Sequence, residues 1–285
     1  MTDAELIQQI VQEIQQANQE LVLPFTLEPG EGGLFESKVG GTPYLPQDMP
    51  WPVDGKGIPL VFLAQVDCTQ LSGLPDFPHT GLLQFFTGRD DVFGMDFDQM
   101  TNQDGFRVIY YETVDAALAL EDVTAKQPDP AEVDETPIAR PCRIRFGTPQ
   151  TVQIAKEDFR FQENVVAQWN KRCPNAQADD IWALYRLLPE PVQDILFEPD
   201  EDEAEEEDIG DAHRLGGYPH FTQDDPRSSS RNGDLDTLLF QLDSEFCGKE
   251  TLILWGDCGV ANFFINREAL KKRDFSHVGY SWDCC

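Results

Sequence analysis

Apolar and polar positions alternate with two different periods along this chain, and the change of period marks its elements. Over residues 2–19, Leu6, Ile7, Ile10, Val11 and Ile14 recur at helical spacing with glutamines on the opposite face, which predicts an amphipathic N-terminal helix packed on a sheet edge. From Phe62 onward the pattern shortens. The runs FLAQVD (Phe62), GLLQFF (Gly81), GFRVIYYE (Gly105), LLFQLD (Leu238), TLILW (Thr251) and GVANFFIN (Gly259) are brief, aromatic and β-branched, as strands are. CRIRFGTPQTVQI from Cys142 predicts a further strand or hairpin. Residues 162–172 and 177–197 carry helical periodicity, the second with Ile181, Leu184, Leu187 and Leu188 before Pro189 interrupts it. Residues 121–140 read as an exposed loop, and the run to Asp208 as a charged linker without apolar anchors.

Two of these strands belong to a repeat. SKVGGTPYLPQDM from Ser37 and HRLGGYPHFTQDD from His213 match without a gap at a spacing of 176 positions, and FLAQVD matches LLFQLD at the same spacing, placing Gln65 on Gln241 and Asp67 on Asp243. A spacing shared by two motifs across an irregular interval indicates a duplicated unit. With shortened loops, GLLQFF is expected to pair with TLILW, and GFRVIYYE with GVANFFIN. Each unit is then a Gly-Gly-Pro turn followed by three strands, the glycines supplying backbone that other residues adopt at a cost. The expected organisation is an N-terminal helix over 1–20, a first β repeat over 21–120, a connecting segment with helices and acidic linker over 121–210, and a second β repeat over 211–285.

Charge changes this picture on the side of partners. The chain of 285 residues has a formal net charge of −31. Residues 198–208 (EPDEDEAEEED) contribute nine acids and no base, yet more than half of the excess lies outside this run and the acidic 121–135 segment. Nucleic acid is disfavoured as a partner, since phosphates are met by clustered Lys and Arg and the chain offers only the KKR at Lys271. No apolar run reaches the roughly 18–20 residues that span a bilayer, and the N-terminus lacks a signal-peptide layout, so a cytoplasmic protein is expected. Seven cysteines without a C-x-x-C pair, and four histidines off zinc-site spacing, suggest reduced thiols and neither metal nor cofactor.

The segments KVGGTPYLP with WP at Trp51, PLVFLAQVD, GLLQFF, HRLGGYP, LLFQLD, LILWGDCGVANFFI and RDFSHVGYSWDCC occur in an order that resembles the YwqG-like family of bacterial proteins over nearly the whole chain. That resemblance implies a mainly β, roll-like fold. It brings no agreed activity, cofactor or catalytic set. Together with the repeat, it sets the expected fold class: mainly β, α+β overall, with two duplicated β-roll-like repeat units packed together, an N-terminal helix, and helices between the repeats.

Candidate chemistry is sparse. Asp48 with Asp224, and Asp67 with Asp243, could converge as metal ligands or an acid–base pair, but aspartates at strand ends commonly accept backbone N–H groups. Cys258, in a GDCG turn, could act with His213 or His277, although turn chemistry explains the spacing as well. Gln65 and Gln241 interrupt apolar strands and are expected to bond to the Gly-Gly turns, because a buried amide left unpaired costs about 1–3 kcal/mol. No catalytic residue is assigned. The sequence favours a non-catalytic binding protein that engages a protein or small ligand in a groove between the repeats, with Lys38, Gln65, His213, Arg214, Gln241, Asp257, Trp282 and Asp283 as candidate contacts. The alternatives are a metal-assisted hydrolase using the paired aspartates, or an acidic inhibitor or immunity-type protein.

Overall fold

The computed structural model describes residues 2–129, 135–197 and 213–284; the acidic run lies outside them. Its centre is one antiparallel sheet that nearly closes on itself. Strand β1 (Gln19–Pro29) pairs with β6 (Cys142–Phe146) in the middle. On the β6 side follow β2 (Lys38–Val39), β3 (Val61–Asp67), β4 (Leu82–Thr87) and β5 (Arg107–Tyr111). On the β1 side follow β8 (Arg214–Gly216), β9 (Thr237–Asp243), β12 (Val260–Ile265) and β13 (Val278–Asp283). Strand β7 (Gln150–Gln153) pairs with the start of β1, and β10 (Glu245–Cys247) with β11 (Glu250–Ile253) forms a separate hairpin.

The two halves are copies. Gly40 and Gly41 have φ of +67° and +76°, and Gly216 and Gly217 both have +68°, so each unit enters its fold through the same left-handed turn. A side chain at Gly217 would meet Val22 Cβ at 2.9 Å besides being strained. Individual hydrogen bonds repeat as well. Asp67 N–H donates to Ser37 Oγ and Asp243 N–H to His213 Nδ1, at 2.9 and 3.0 Å, while Ile144 N–H donates to Ser37 O and Phe25 N–H to His213 O. Strands β6 and β1 therefore play equivalent parts.

The register corrects the expected pairing of the later strands. Gln65 lies opposite Gln84 on β4, and Gln241 lies opposite Asn262 on β12. GLLQFF thus corresponds to GVANFF, and β5 to β13, while TLILW builds the β10–β11 hairpin inserted between β9 and β12. The connection is two residues longer in the second unit, which breaks the 176 spacing at that point.

Both sheet faces are covered, which is why every position of β4 and β12 is buried. Leu83 and Phe85 of β4, and Ala261 and Phe263 of β12, point into the main core, where Phe85 stacks on Phe240 at 4.6 Å and contacts Phe263 at 4.9 Å. Phe86 and Phe264 point outward under the arm that follows each Gly-Gly turn: Trp51 packs edge-on against Phe86, and the Arg227 guanidinium lies 4.0 Å from the Phe264 ring centroid. Trp51 and Arg227 are again 176 positions apart.

The arms are held by amides. Gln65 Oε1 accepts Tyr44 N–H at 2.9 Å, and Gln84 Nε2 donates to Tyr44 O at 2.7 Å. In the second unit Gln241 Oε1 accepts His220 N–H and Asn262 Nδ2 donates to His220 O, both at 2.8 Å. A cross-strand pair of side chains thereby supplies one arm residue with the donor and acceptor that a neighbouring strand would supply. Gln65 Nε2 also reaches Leu34 O and Glu36 O.

Helix α1 (Asp3–Ala17) begins with a Thr2–Glu5 capping box. It packs chiefly on other helices, in a second core that Val152 of the edge strand β7 also touches: Ile7, Ile10 and Ile14 share it with Phe161 and Val165 of α3 (Phe159–Arg172) and Leu184 of α4 (Ile181–Leu187). The described part of 121–140 is also docked. Its helix α2 (Leu120–Thr124) buries Val123, Lys126 Nζ donates to the carbonyls of Pro46, Gln47 and Met49, and Gln127 Nε2 donates to Gly41 O. The carbonyls freed by the first arm's turns find their donors here.

Gln65→Leu strands the Tyr44 N–H together with two carbonyls. It is expected to cost about 3 kcal/mol, roughly 6–12 °C of melting temperature, with Gln241→Leu costing a similar amount. Calorimetry on both variants checks this, and unchanged melting temperatures would mean that the amides do not hold the arms.

Candidate functional site

Closure of the sheet is completed by a loop. The free edge of β13 faces the long β4–β5 connection: Tyr280 N–H donates to Met100 O at 2.9 Å, Trp282 Nε1–H to Val92 O at 2.8 Å, and Gln103 Nε2 to the carbonyls of Phe275 and Ser276. Ring contacts of Phe106 with Tyr280 and of Tyr110 with Phe275 bind β5 to the same region. The second unit has a shorter β12–β13 connection, residues 266–277, which carries the helix α5 (Arg267–Lys271).

Where the closing loop meets the second arm there is a cavity of about 230 Å³. The loop contributes Met95, Asp96, Phe97 and Met100; the arm contributes Phe221, Gln223, Asp224 and Pro226. Arg231 and Asn232 form one wall, and Tyr280 to Asp283 of β13 form the floor. The Trp282 ring is half-buried, against Phe93 at 5.2 Å and Trp255 at 6.1 Å. Gln223 ties the arm to the strand, its N–H donating to Asp283 Oδ2 at 2.7 Å and its Nε2 to Cys284 O at 2.6 Å.

A buried ion network fixes the arm beyond the cavity. Asp158, the N-cap of α3, receives Arg160 through both oxygens at 2.8 and 2.7 Å and Arg227 Nη2 at 3.3 Å. Arg227 is clasped in turn by Asp225 at 2.8 and 2.9 Å and donates to Leu235 O. Burial alone would raise the Asp158 carboxyl, but the hydrogen bonds and charges of Arg160 and Arg227 outweigh it and hold the pKa below the ordinary aspartate value. Nothing in the spacing of the sequence announces this network; the replacement of Trp51 by Arg227 at the equivalent position is its one visible trace.

Of the residues expected to line a groove between the repeats, Trp282 and Asp283 line the cavity. Lys38, Gln65, His213, Arg214 and Gln241 are buried and serve the frame instead. Lys38 Nζ donates to Gly33 O at 2.6 Å, and burial lowers its pKa to about 8 despite Glu36 and Glu31 nearby. Arg214 donates to Tyr218 O, and His213 Nε2 faces Glu245 at 3.4 Å. Asp257 is exposed in the turn before Cys258, whose φ is +74°. The inner faces of the two units are filled by aromatic core, and a concave surface lies at the rim where loop and arm meet. Sequence reasoning missed Phe97, Met95 and Met100 because only closure brings their loop to β13.

Asp67 and Asp243 are each engaged within their own unit. Four strands separate β3 from β9 along the sheet, and each acid is occupied locally: Asp67 Oδ1 accepts Thr69 N–H and hydroxyl, and Asp243 Oδ1 accepts Ser244 N–H. Among the described residues no three His, Cys, Asp or Glu side chains are arranged to hold a metal ion. His277 stands exposed 3.8 Å from Asp234.

A family model described as a domain of unknown function, DUF1963, matches residues 37–284. The chain belongs to the DUF1963 family. The matched span begins at the first Gly-Gly motif and runs through both units to the end of β13, so the cavity is built wholly from family sequence, whereas α1 and β1 precede it. No curated protein matches the chain. No helix among the described residues is long and apolar enough to cross a membrane.

Arg227→Met leaves Asp225 without its counter-charge and removes the second guanidinium from Asp158, and is expected to destabilise the fold by about 3–5 kcal/mol. The folded-state pKa of Asp158 lies below its unfolded value of about 3.9, so its contribution is complete above that pH and is lost as pH falls through the folded pKa. Denaturant titrations between pH 6 and pH 2.5 should therefore show a steeper acid loss in the parent chain than in Asp158→Asn. Parallel acid limbs would contradict this.

Proposed function

We propose that this chain is a non-catalytic binding protein of the cytoplasm whose working site is the cavity between the closing loop and the second arm. The observation that carries this reading is the cavity's construction. It is concave, its floor is a rigid strand, its rim carries aromatic and carboxylate groups, and the network behind it fixes the arm; concave sites with a few polar groups in an apolar setting are the usual binding locations. Non-catalytic action is supported by the local occupation of the acids and by the distribution of the histidines, His213 being buried beneath β9 and His277 exposed beside Asp234. A cytoplasmic setting is supported by the free thiols of the six described cysteines. The YwqG-like resemblance is, on this reading, a finer placement within the DUF1963 family.

A fragment screen by NMR on the labelled full chain tests the proposal. Bound fragments are expected to shift the Trp282 indole N–H and the methyls of Met95 and Met100 together. Phe97→Ala, an exposed substitution, should weaken these fragments at least fivefold without altering stability. Fragments that gather elsewhere, or bind equally well to Phe97→Ala, would remove the cavity from consideration.

A further inference from the structure

The chain sets Cys258 in a Gly-Asp-Cys-Gly turn and ends on two adjacent cysteines, and the cavity uses neither feature. The fold brings them together. Val260 of β12 lies opposite Asp283 of β13, so the ladder, continued by one residue past the strands, sets Gly259 against Cys284. The approach is close: a Cβ on Gly259 would meet Cys284 Cβ at 2.8 Å, and one on Gly256 would meet Cys284 Sγ at 2.6 Å. Cys284 therefore lays its sulfur on the turn that carries Cys258. Gly259 N–H closes that turn by donating to Trp255 O at 2.7 Å. One peptide unit, ~3.8 Å between Cα atoms, separates Cys258 from the residue that touches Cys284, and disulfides bridge Cα atoms up to about 6.8 Å apart.

Both thiols are free, Cys258 exposed and Cys284 half-buried. Cys258 also holds a backbone φ of +74°, a left-handed conformation that is costly for a residue with a Cβ, and it gains no burial in return. Packing gives no reason for a cysteine there. A second exposed thiol supplies the contrast. Cys247 has Cys142 for a neighbour, but Cys142 is fully buried, its Sγ donates to Arg140 O at 3.4 Å, and burial, with Glu245 adding to it, raises its pKa. A thiol held in that way is inert toward a sulfur at the surface, whereas Cys284 is not so enclosed.

We propose that Cys258 and Cys284 form a reversible disulfide site that responds to low-molecular-weight disulfides such as oxidised glutathione. The Cys258 thiol loses its proton and attacks one sulfur of the small disulfide, giving a mixed disulfide and a small thiolate that takes up that proton. Cys284, losing its own proton, then attacks Cys258 Sγ and expels the second small thiol. Two protein thiols are thereby oxidised by two electrons, and the small disulfide is reduced to two thiols. In a reducing cell interior such a bridge is transient, as cytosolic disulfides are. It clips the end of β13 to the turn before β12. Since Gln223 of the second arm is bonded to Asp283 and to Cys284 O, the bridge bears on the arm as well.

The test treats the folded, fully reduced chain with excess oxidised glutathione, quenches with acid and maps the tryptic peptides by mass spectrometry. Cys258 and Cys284 fall in different tryptic peptides, but Cys284 and Cys285 share one, so the mapping uses Cys285→Ser. The expected product joins the Cys258 peptide to the Cys284 peptide with a loss of about 2 Da, while Cys247 keeps its glutathione. In the same background Cys284→Ser should leave glutathione standing on Cys258, and Cys258→Ser should abolish the joined peptide. Dithiothreitol should restore both thiols. Retention of glutathione on Cys258 beside a free Cys284, an unreactive Cys258, or an equal yield of the joined peptide from chain unfolded in urea would overturn the site.

Discussion

Each arm of this fold hangs on a pair of side-chain amides. An irregular segment laid over an apolar sheet face brings backbone N–H and C=O groups out of water, and these must be paired or the segment cannot stay. Gln65 with Gln84, and Gln241 with Asn262, present a donor and an acceptor at the spacing of a strand edge, and the arm takes them at Tyr44 and His220. The outward rings Phe86 and Phe264 can then be roofed by Trp51 and Arg227 without stranding the chain that carries them. The left-handed glycine pairs bring the arms to this position, which accounts for the joint recurrence of Gly-Gly-Pro and the strand glutamine.

Duplication builds the frame, and departures from it build the candidate site. The first unit has the longer β4–β5 connection, the loop that covers the β13 edge; the second has Arg227 where the first has Trp51, and this ties its arm into the Asp158 network. The cavity lies where these two departures meet, between a loop from one unit and an arm from the other. Neither unit alone could form it.

The repeat was legible because the arms and the strands β3 and β9 keep one spacing. It became illegible where the second connection is two residues longer, so that allowing a shortened loop assigned TLILW to the place that GVANFF holds, although the shared G-x-x-Q/N-F-F pattern carried the answer. Strand β1 was hidden by Pro24, which ordinarily argues against a central strand. Here β1 changes partner next to Pro24, with β7 before it and β6 after it, so the missing N–H falls at a break in the ladder. Of the candidate site, Trp282 and Asp283 could be read from the sequence. Lys38, Gln65, His213, Arg214 and Gln241 could not be sorted, because a polar residue in an apolar run looks the same whether it meets a ligand or its own backbone. Phe97 belongs to a contact made only by closure, between residues almost two hundred positions apart.

Amide hydrogen exchange at Tyr44 and His220 tests the amide support most directly. Both residues sit in irregular arms outside any strand, where backbone N–H groups ordinarily exchange through local openings. If Gln65 and Gln241 hold them as described, both amides should exchange only with global unfolding, as slowly as those of Phe85 and Phe263 in the core strands. Exchange of either amide on the timescale of an exposed loop would contradict the account.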